Sequence, residues 1–568
     1  MTNVNPHRSY KNVPQQPELV WVLALALVYG IGLFIPVMEV DAAQYAAMSR
    51  EMLETGNYLE LYNRGKDYLD KPPLVFWLSA LSFHLFGVST WAFKLPSVLF
   101  SLWPVFSTYQ LGKRLHSATV GRWAAWMLAT CQAWFLMNVD PRTDMLLAGS
   151  VTYALWQLVA YQQDKKWTSL IAASVGIGLA MLAKGPIGLM VPALALGTHW
   201  LIRQEWQKLL HAPWLVLLGI VALLLAPMAY GLYVQFDLHP EKVVYGESGV
   251  SGLRFYFWDQ SFGRLTGDNQ FINQAGKAQQ GGDPFFFVHT FIWSFFPWSW
   301  LFVVVVVRKL IQRICEGFPP VQKLSFVTWA GVFLPWIALS FSAYKLPHYI
   351  FVFYPLAAIL LAKEMAHFSR TGWAVTGQRV VLALAILVAG WLLYSFTPDS
   401  WALVVLTIII GLVFIYTRLA KNARLPKWTA YGIAAMLLVN VIMNGHFYRQ
   451  LLTYQVPSHV VREVKRQSAN PSTLYMWPTV SYAFEFYRGA IQDTTDIYAL
   501  QKRERVQLLI PEKAWTDFLR QRVPYQMVRD SIPGIKVTRL QLPFLWPATR
   551  HQQVQNWRWI ALGDTPPE

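Results

Sequence analysis

Tyr68-Leu69-Asp70-Lys71-Pro72-Pro73-Leu74 lies just past the first long apolar run, inside a segment (residues 39–87) dense in ionisable groups. Glu39 and Asp41 open that segment, followed by Tyr45, Arg50 and Glu51 at helical spacing. A turn-prone patch with Gly56 and Asn57 leads into Asp-Lys-Pro-Pro, after which Leu74 to Phe86 is apolar and aromatic. Carboxylates at a membrane boundary, then a lysine whose backbone is restrained by two prolines, are costly beside lipid without a partner or ligand. The plain alternative is a solvated loop at a helix end. The mixture of charges favours a ligand site.

The rest of the chain supplies the membrane. It has 568 residues, 55% of them hydrophobic and only 14% charged, with a mean hydropathy of +0.31. Apolar runs of roughly 16 to 22 residues recur from Leu19 onward, as in a polytopic membrane protein. A net charge of +17 would suit nucleic acid, but the lysines and arginines sit in short loops between apolar runs. That is a topology signal rather than a partner signal. Cys131 and Cys315 are the only cysteines, so no disulfide framework is expected. The first apolar run lacks a cleavage site and reads as a retained helix.

Basic loops then set the register. His7, Arg8 and Lys11 put the N-terminus in the cytoplasm and the Asp41 loop in the periplasm. Lys113, Arg114 and Arg122 form the next cytoplasmic loop, so only one of the two apolar stretches between Lys71 and Lys113 can cross. Leu74 to Phe86 is short and interrupted by His84, and is expected to lie at the membrane surface. Later spans are expected over Trp123 to Asn138, Met145 to Tyr161, Ser169 to Ala183, Ile187 to Leu201, Trp214 to Tyr233, Phe285 to Val307, Leu324 to Phe341 and Tyr349 to Leu361. Val380 to Ser395, Trp401 to Tyr416 and Thr429 to Asn444 complete about thirteen crossings. From about His446 the composition turns soluble. Ser472 to Trp477, Arg505 to Ile510, Ile535 to Leu542 and Trp557 to Leu562 read as strands, and Val460 to Gln467 and Lys513 to Arg520 as helices. The expected organisation is a transmembrane catalytic domain over residues 1–445, with a first periplasmic loop at 39–90, and a small periplasmic α/β domain over 446–568.

This topology gathers Asp41, Tyr45, Tyr68, Asp70, Lys71, Asp140, Arg142, Asp144, Lys184, Asp259, Arg264, Lys345, His348 and Tyr349 at the outer face. Cations there can neutralise a phosphate leaving group while carboxylates orient an acceptor and offset charge on a sugar carbon. Each block has a plainer reading. Asp140 to Asp144 alone reads as a helix N-cap with an internal salt bridge. Lys184-Gly185-Pro186 reads as a turn, and Tyr344 to Tyr349 as an interfacial aromatic belt with a snorkelling lysine. Their coincidence on one face favours function.

The pattern D-x-x-x-Y-x-x-x-x-R-E-M-L-x-x-G-x-Y (Asp41 to Tyr58) followed by D-K-P-P-L-x-x-W (Asp70 to Trp77) resembles the first periplasmic loop of bacterial GT-C glycosyltransferases. Within these it is most similar to the branch of aminoarabinose lipid A transferases and protein O-mannosyltransferase relatives. The resemblance covers roughly Val20 to Leu361. It implies that Asp41 is the leading acidic residue and Lys71 the lysine on the donor phosphate, with Asp144 the acidic residue of the second loop. Leu182 to Pro186 resembles the T-K-G block, Lys345-Leu346-Pro347-x-Tyr349 the K-L-P-x-Y block, and Phe257-Trp258 with Arg264 an aromatic-plus-arginine block. Two positions depart from the aminoarabinose pattern: Asp70 stands where glutamate is usual and Ser261 where histidine is usual. In the family those positions can hold zinc, so Asp70 and Asp259 remain as weak metal ligands, and a divalent metal stays an open option with no required cofactor.

The expectation is therefore an α-helical polytopic inner-membrane glycosyltransferase of GT-C architecture. Its partners would be a polyprenyl-phosphate sugar donor and lipid A or another glycolipid acceptor. Asp41 and Asp144 are expected to be catalytic; Tyr45, Tyr68, Lys71, Asp140, Lys184, Arg264, Lys345, His348 and Tyr349 are expected to bind substrate. The competing class is a transporter or flippase of a lipid-linked sugar, which usually carries internal repeats and midplane charges. No repeat is visible here.

Overall fold

A computed structural model describes residues 16–260, 263, 283–317, 326–342, 344–367, 372–396, 425–467 and 470–563. The first apolar run forms α1 (Gln16–Leu33), and the ionisable segment begins with α2 (Asp41–Thr55). A short hairpin, β1 (Tyr62–Asn63) and β2 (Lys66–Asp67), precedes α3 (Leu74–Phe86), which Pro73 caps. At 13 residues α3 is about 20 Å long, short of a hydrocarbon core of about 30 Å. α4 (Thr90–Leu115) and α5 (Ala118–Ala129) each open on a serine whose hydroxyl accepts a first-turn amide. They meet through glycine: a Cβ on Gly112 would stand 2.8 Å from the Gly121 Cα, so small residues let the two backbones touch.

Among the described residues, five helices are long and apolar enough to cross a membrane. They span Trp167–Lys184, Trp206–Asp237, Pro347–Ala366, Gly372–Ser395 and Lys427–Leu451. The protein is a multi-pass membrane protein of mainly helical fold. α7 (Thr143–Asp164), α8 (Trp167–Lys184), α9 (Ile187–Ile202) and α11 (Pro213–Leu232) follow the expected apolar runs to within a few residues; the short α10 (Trp206–Leu209) precedes α11.

Two expected spans are each split. Trp123 to Asn138 divides between α5 and α6 (Gln132–Val139), and Phe285 to Val307 divides into helices Phe286–Ser294 and Ser299–Glu316. The two breaks serve each other, because the Gln132 amide freed at the first donates to the Phe296 carbonyl freed at the second, at 3.0 Å. Inside a membrane protein such breaks persist where protein groups take up the backbone polarity. The Trp401 to Tyr416 span lies outside the described residues.

A second short hairpin, β3 (Val243–Val244) and β4 (Glu247–Ser248), follows the Trp206–Asp237 helix. After Lys427–Leu451 the chain builds a four-stranded sheet in the order β5-β6-β8-β7: β5 (Leu474–Met476), β6 (Gln507–Pro511), β7 (Tyr525–Gly534), β8 (Gln555–Leu562). β5 runs parallel to β6, and the other pairs are antiparallel. Helices Val456–Arg466 and Glu512–Arg520 fall near their expected positions. Ile535 to Leu542 is not a strand: the strand precedes it as β7, and Val537–Arg539 is a single 3-10 turn. Ile535 and Val537 pack against the main core, Val537 beside Ile35, Val139 and Leu452, whereas Leu540 and Leu542 are exposed.

This sheet region grips the start of α2. Glu39 accepts from the Ala483 amide at 2.7 Å, and Gln455 bonds the Glu39 amide and the Val37 carbonyl, each at 3.0 Å. Arg64 pairs with buried Glu485 at 2.6 Å, and Arg50 donates to the Glu485 carbonyl at 2.8 Å.

Candidate functional site

Arg50 and Glu51 of the leading motif are structural. The Arg64–Gly65 turn has φ of 57° and 69°, and its two amides donate to the Glu51 carboxylate at 2.9 and 2.7 Å. That pins the hairpin to α2. Gln235, at the end of the Trp206–Asp237 helix, holds the hairpin from the other side. It bonds both the amide and the carbonyl of Leu61 and reaches Asp67 at 2.9 Å. The Asp70–Pro73 turn leaves this frame with its lysine aimed inward.

There it lines a cavity of about 360 Å³. The wall is mostly apolar, from Leu59, Leu61, Ile187, Met190, Met228, Leu232 and Leu339. Polarity comes from Asp70, Lys71, Lys184, Gln235, Gln260, Tyr68, Tyr256, Ser342 and Tyr349. Lys184 is the last residue of α8. Gly185 follows with φ 85° and ψ −159°, a conformation that only glycine adopts readily, and Pro186 starts α9. A Cβ on Gly188 would stand 2.6 Å from the Ala180 carbonyl carbon, so the α8–α9 corner is tight. The ammonium thus sits at a helix C-terminus, where the macrodipole favours a cation. It bonds Asp144 and lies 4.0 Å from the Tyr349 ring centroid.

Asp144 stands in the first turn of α7, the end that favours an anion, and is 2% exposed. His348 Nε2 lies 3.6 Å from its other oxygen. Three residues before α7, Asp140 bonds Arg142 at 2.9 Å, and Arg142 also pairs with Asp41. Burial acts against the guanidinium's charge, but Asp140 and Asp41 outweigh it and raise the Arg142 pKa. Tyr45 is buried beside this group; burial first, then the charges of Asp41 and Asp70, push its phenol far above the usual range. Tyr45 and Tyr68 both pack edge-on against Phe76, at 5.7 and 5.9 Å between centroids.

Most of the expected residues therefore converge in three linked groups. Lys71, Lys184, Tyr68, Asp70 and Tyr349 line the cavity; Asp144 and His348 stand behind Lys184; Asp41, Asp140 and Tyr45 gather around Arg142. Lys345 is buried, does not line the cavity, and donates to the Asp283 carbonyl at 2.9 Å. Arg264 and Ser261 lie outside the described residues. Among the described residues both candidate metal ligands are engaged by cations: Asp70 pairs with Lys71 at 3.0 Å and accepts from Gln260, while Asp259 faces Arg254 at 3.8 Å. No group of three His, Cys, Asp or Glu is placed to hold a metal among the described residues, and a site of two cation-paired carboxylates lacks the donors such an ion takes. Arg142 joins two expected carboxylates, a role its neighbours on the sequence suggested only for Asp140. Gln235 and Gln260 were not anticipated; a lone amide at the end of an apolar helix is the only signal either gave.

A largely apolar cavity lined by two ammonium groups, with Asp144 bonded to one of them, thus sits inside a helical membrane fold. Residues 70–230 match the family model described as dolichyl-phosphate-mannose-protein mannosyltransferase. The chain is 25% identical over 447 residues to the undecaprenyl phosphate-alpha-4-amino-4-deoxy-L-arabinose arabinosyl transferase of Pseudomonas aeruginosa strain UCBPP-PA14, covering 76% of this chain and 73% of that one. The enzyme of the same name from Serratia proteamaculans is 22% identical over 475 residues, covering 78% and 79%. The crystal structure of ArnT from Cupriavidus metallidurans bound to undecaprenyl phosphate superposes with a TM-score of 0.70 at 18% identity, over 97% of this chain and 99% of that one. The chain shares that fold.

Proposed function

We propose that the chain is an inverting inner-membrane glycosyltransferase. It moves aminoarabinose or a similar sugar from a polyprenyl-phosphate donor to lipid A or another periplasmic acceptor. The observation that carries this reading is the cavity: mostly apolar in its wall, with Lys71 and Lys184 in its lining and Asp144 bonded to Lys184. A polyprenyl phosphate has that division of chemistry, and the two curated relatives are named for an undecaprenyl-phosphate sugar. Residues 1–445 would form the catalytic membrane domain with about thirteen crossings, and residues 446–568 a periplasmic domain.

In the reaction an acceptor oxygen attacks the anomeric carbon. The carbon–oxygen bond to the phosphate breaks, and the electron pair leaves with the polyprenyl phosphate. Lys71, Lys184 and Arg264 offset that charge, which grows as the bond lengthens. Lys184 and His348 hold Asp144 on the sugar side. Arg142 holds Asp41 toward the acceptor, and Asp140 steadies Arg142. An acceptor phosphate is already ionised and needs no base; for a hydroxyl acceptor, Asp41 is the base. Lys345 fastens the loop at Asp283 rather than the donor.

Mass spectrometry of lipid A from cells with and without the gene tests the reading. A pentosamine-sized addition that appears only with the gene is expected. Unchanged lipid A, with a lipid-linked sugar accumulating on one membrane face instead, would favour a flippase.

A further inference from the structure

A second cavity, of about 250 Å³, lies in the C-terminal region between Ile535, Lys536, Arg539, Gln541, Phe544 and Gln555. Lys536 and Arg539 are exposed, and neither has a carboxylate partner among the described residues. The floor residue Phe544 packs on Tyr454 at 5.0 Å and on Phe396 at 6.2 Å. Phe396 directly follows Gly372–Ser395, a helix long and apolar enough to cross the membrane.

The cavity is tied to the end of that helix. Arg550 donates to the Ser395 hydroxyl at 3.0 Å and lies 3.9 Å from the Phe396 ring centroid, and Ser395 donates to the Leu545 carbonyl at 2.6 Å. Trp546 meets Tyr394 edge-on at 6.2 Å. Beside the basic rim, Leu542 is 74% exposed, Tyr394 65% and Trp546 51%. Large apolar and aromatic side chains at the end of a crossing helix belong at the headgroup boundary, and lysine and arginine beside them meet lipid phosphate.

We propose that this cavity binds the phosphate headgroup of an anionic membrane lipid, with Lys536 and Arg539 as its charge partners. Gln541 and Gln555 offer amide donors to the same headgroup, and Leu542 and Trp546 enter the bilayer beside its acyl chains. The site is separate from the Lys71–Lys184 cavity and does not depend on the transfer reaction proposed above.

Native mass spectrometry of the full chain released from detergent tests it. The probes are dioleoyl phosphatidylglycerol, dioleoyl phosphatidylcholine and inorganic phosphate. The expected result is one phosphatidylglycerol retained in preference to phosphatidylcholine. K536Q and R539Q should each weaken it roughly fivefold and the double variant about 30-fold, as for basic groups at an anionic surface. Equal retention of the two lipids, or full retention by the double variant, overturns the proposal. Displacement of phosphatidylglycerol by equimolar inorganic phosphate would show a free-anion site and overturn the lipid assignment. Both positions are exposed, so the single variants test the claim even where the double variant is poorly expressed.

Discussion

Lys71 and Lys184 line one cavity but stand in different surroundings, and their variants should differ. The partner of Lys71, Asp70, is 43% exposed, so losing that pair should cost under about 1 kcal/mol. The partner of Lys184, Asp144, is nearly fully buried, and removing one member of a buried pair typically costs about 3–5 kcal/mol. Lys184→Gln should therefore lower the thermal midpoint clearly more than Lys71→Gln, measured in the same detergent; equal midpoints would mean that Lys184 does not neutralise Asp144. Asp41 offers a second contrast. Its pair with Arg142 suits a positioning role, so Asp41→Asn should lower turnover moderately with no acid limb lost from the pH–rate profile. A drop of roughly 10²–10⁴-fold, with an acid limb seen only in the wild type, would make it a general base. Asp41, Lys71 and Asp144 were legible in the sequence because motif and boundary position coincide. The linking role of Arg142 was not, because it depends on two loops meeting 101 residues apart.

The α8–α9 corner turns a three-residue motif into a placed ammonium group. Gly185→Ala should cost of order 1–3 kcal/mol, since its backbone conformation is nearly exclusive to glycine. It should also reduce transfer by re-aiming Lys184. Activity and thermal midpoint falling together are expected; an unchanged midpoint would show that the corner relaxes freely. Helix positions such as α8 and α9 were readable because apolar length alone marks them. The breaks at Thr130–Cys131 and Phe295–Trp298 were not, because each is satisfied by the other across the fold. The Ile535 to Leu542 segment misled for a related reason: Ile535 and Val537 pack against Ile35, Val139 and their neighbours instead of pairing in the sheet, and Leu542 is exposed.

Across the whole molecule, the sheet region and the α1–α2 connection form one assembly, with Glu39 at the seam. Burial raises its pKa most, and the Ala483 amide only partly offsets that. An acid whose folded pKa is raised makes folding less favourable as pH climbs from its unfolded value, about 4.5, to its folded one, because the unfolded chain ionises first. Glu39→Gln keeps an acceptor for Ala483 without the charge. Its thermal midpoint relative to wild type should rise between pH 4.5 and 7, and a difference constant with pH would place the ionised carboxylate in water instead.

Lys71 is proposed to carry the phosphate of a polyprenyl-linked sugar during transfer, and an assay of the purified protein bears on that role without intermediaries. With an undecaprenyl-phosphate-linked aminoarabinose donor and lipid A, wild type should release undecaprenyl phosphate together with glycosylated lipid A. Lys71→Ala should lose about 10²–10³-fold in turnover, the usual worth of a preorganised charge partner, with its thermal midpoint nearly unchanged. Lys71→Arg should be only partly active, since a planar fork replaces a point charge. Near-normal turnover of Lys71→Ala at matched protein concentration would rule out a phosphate-binding role for Lys71.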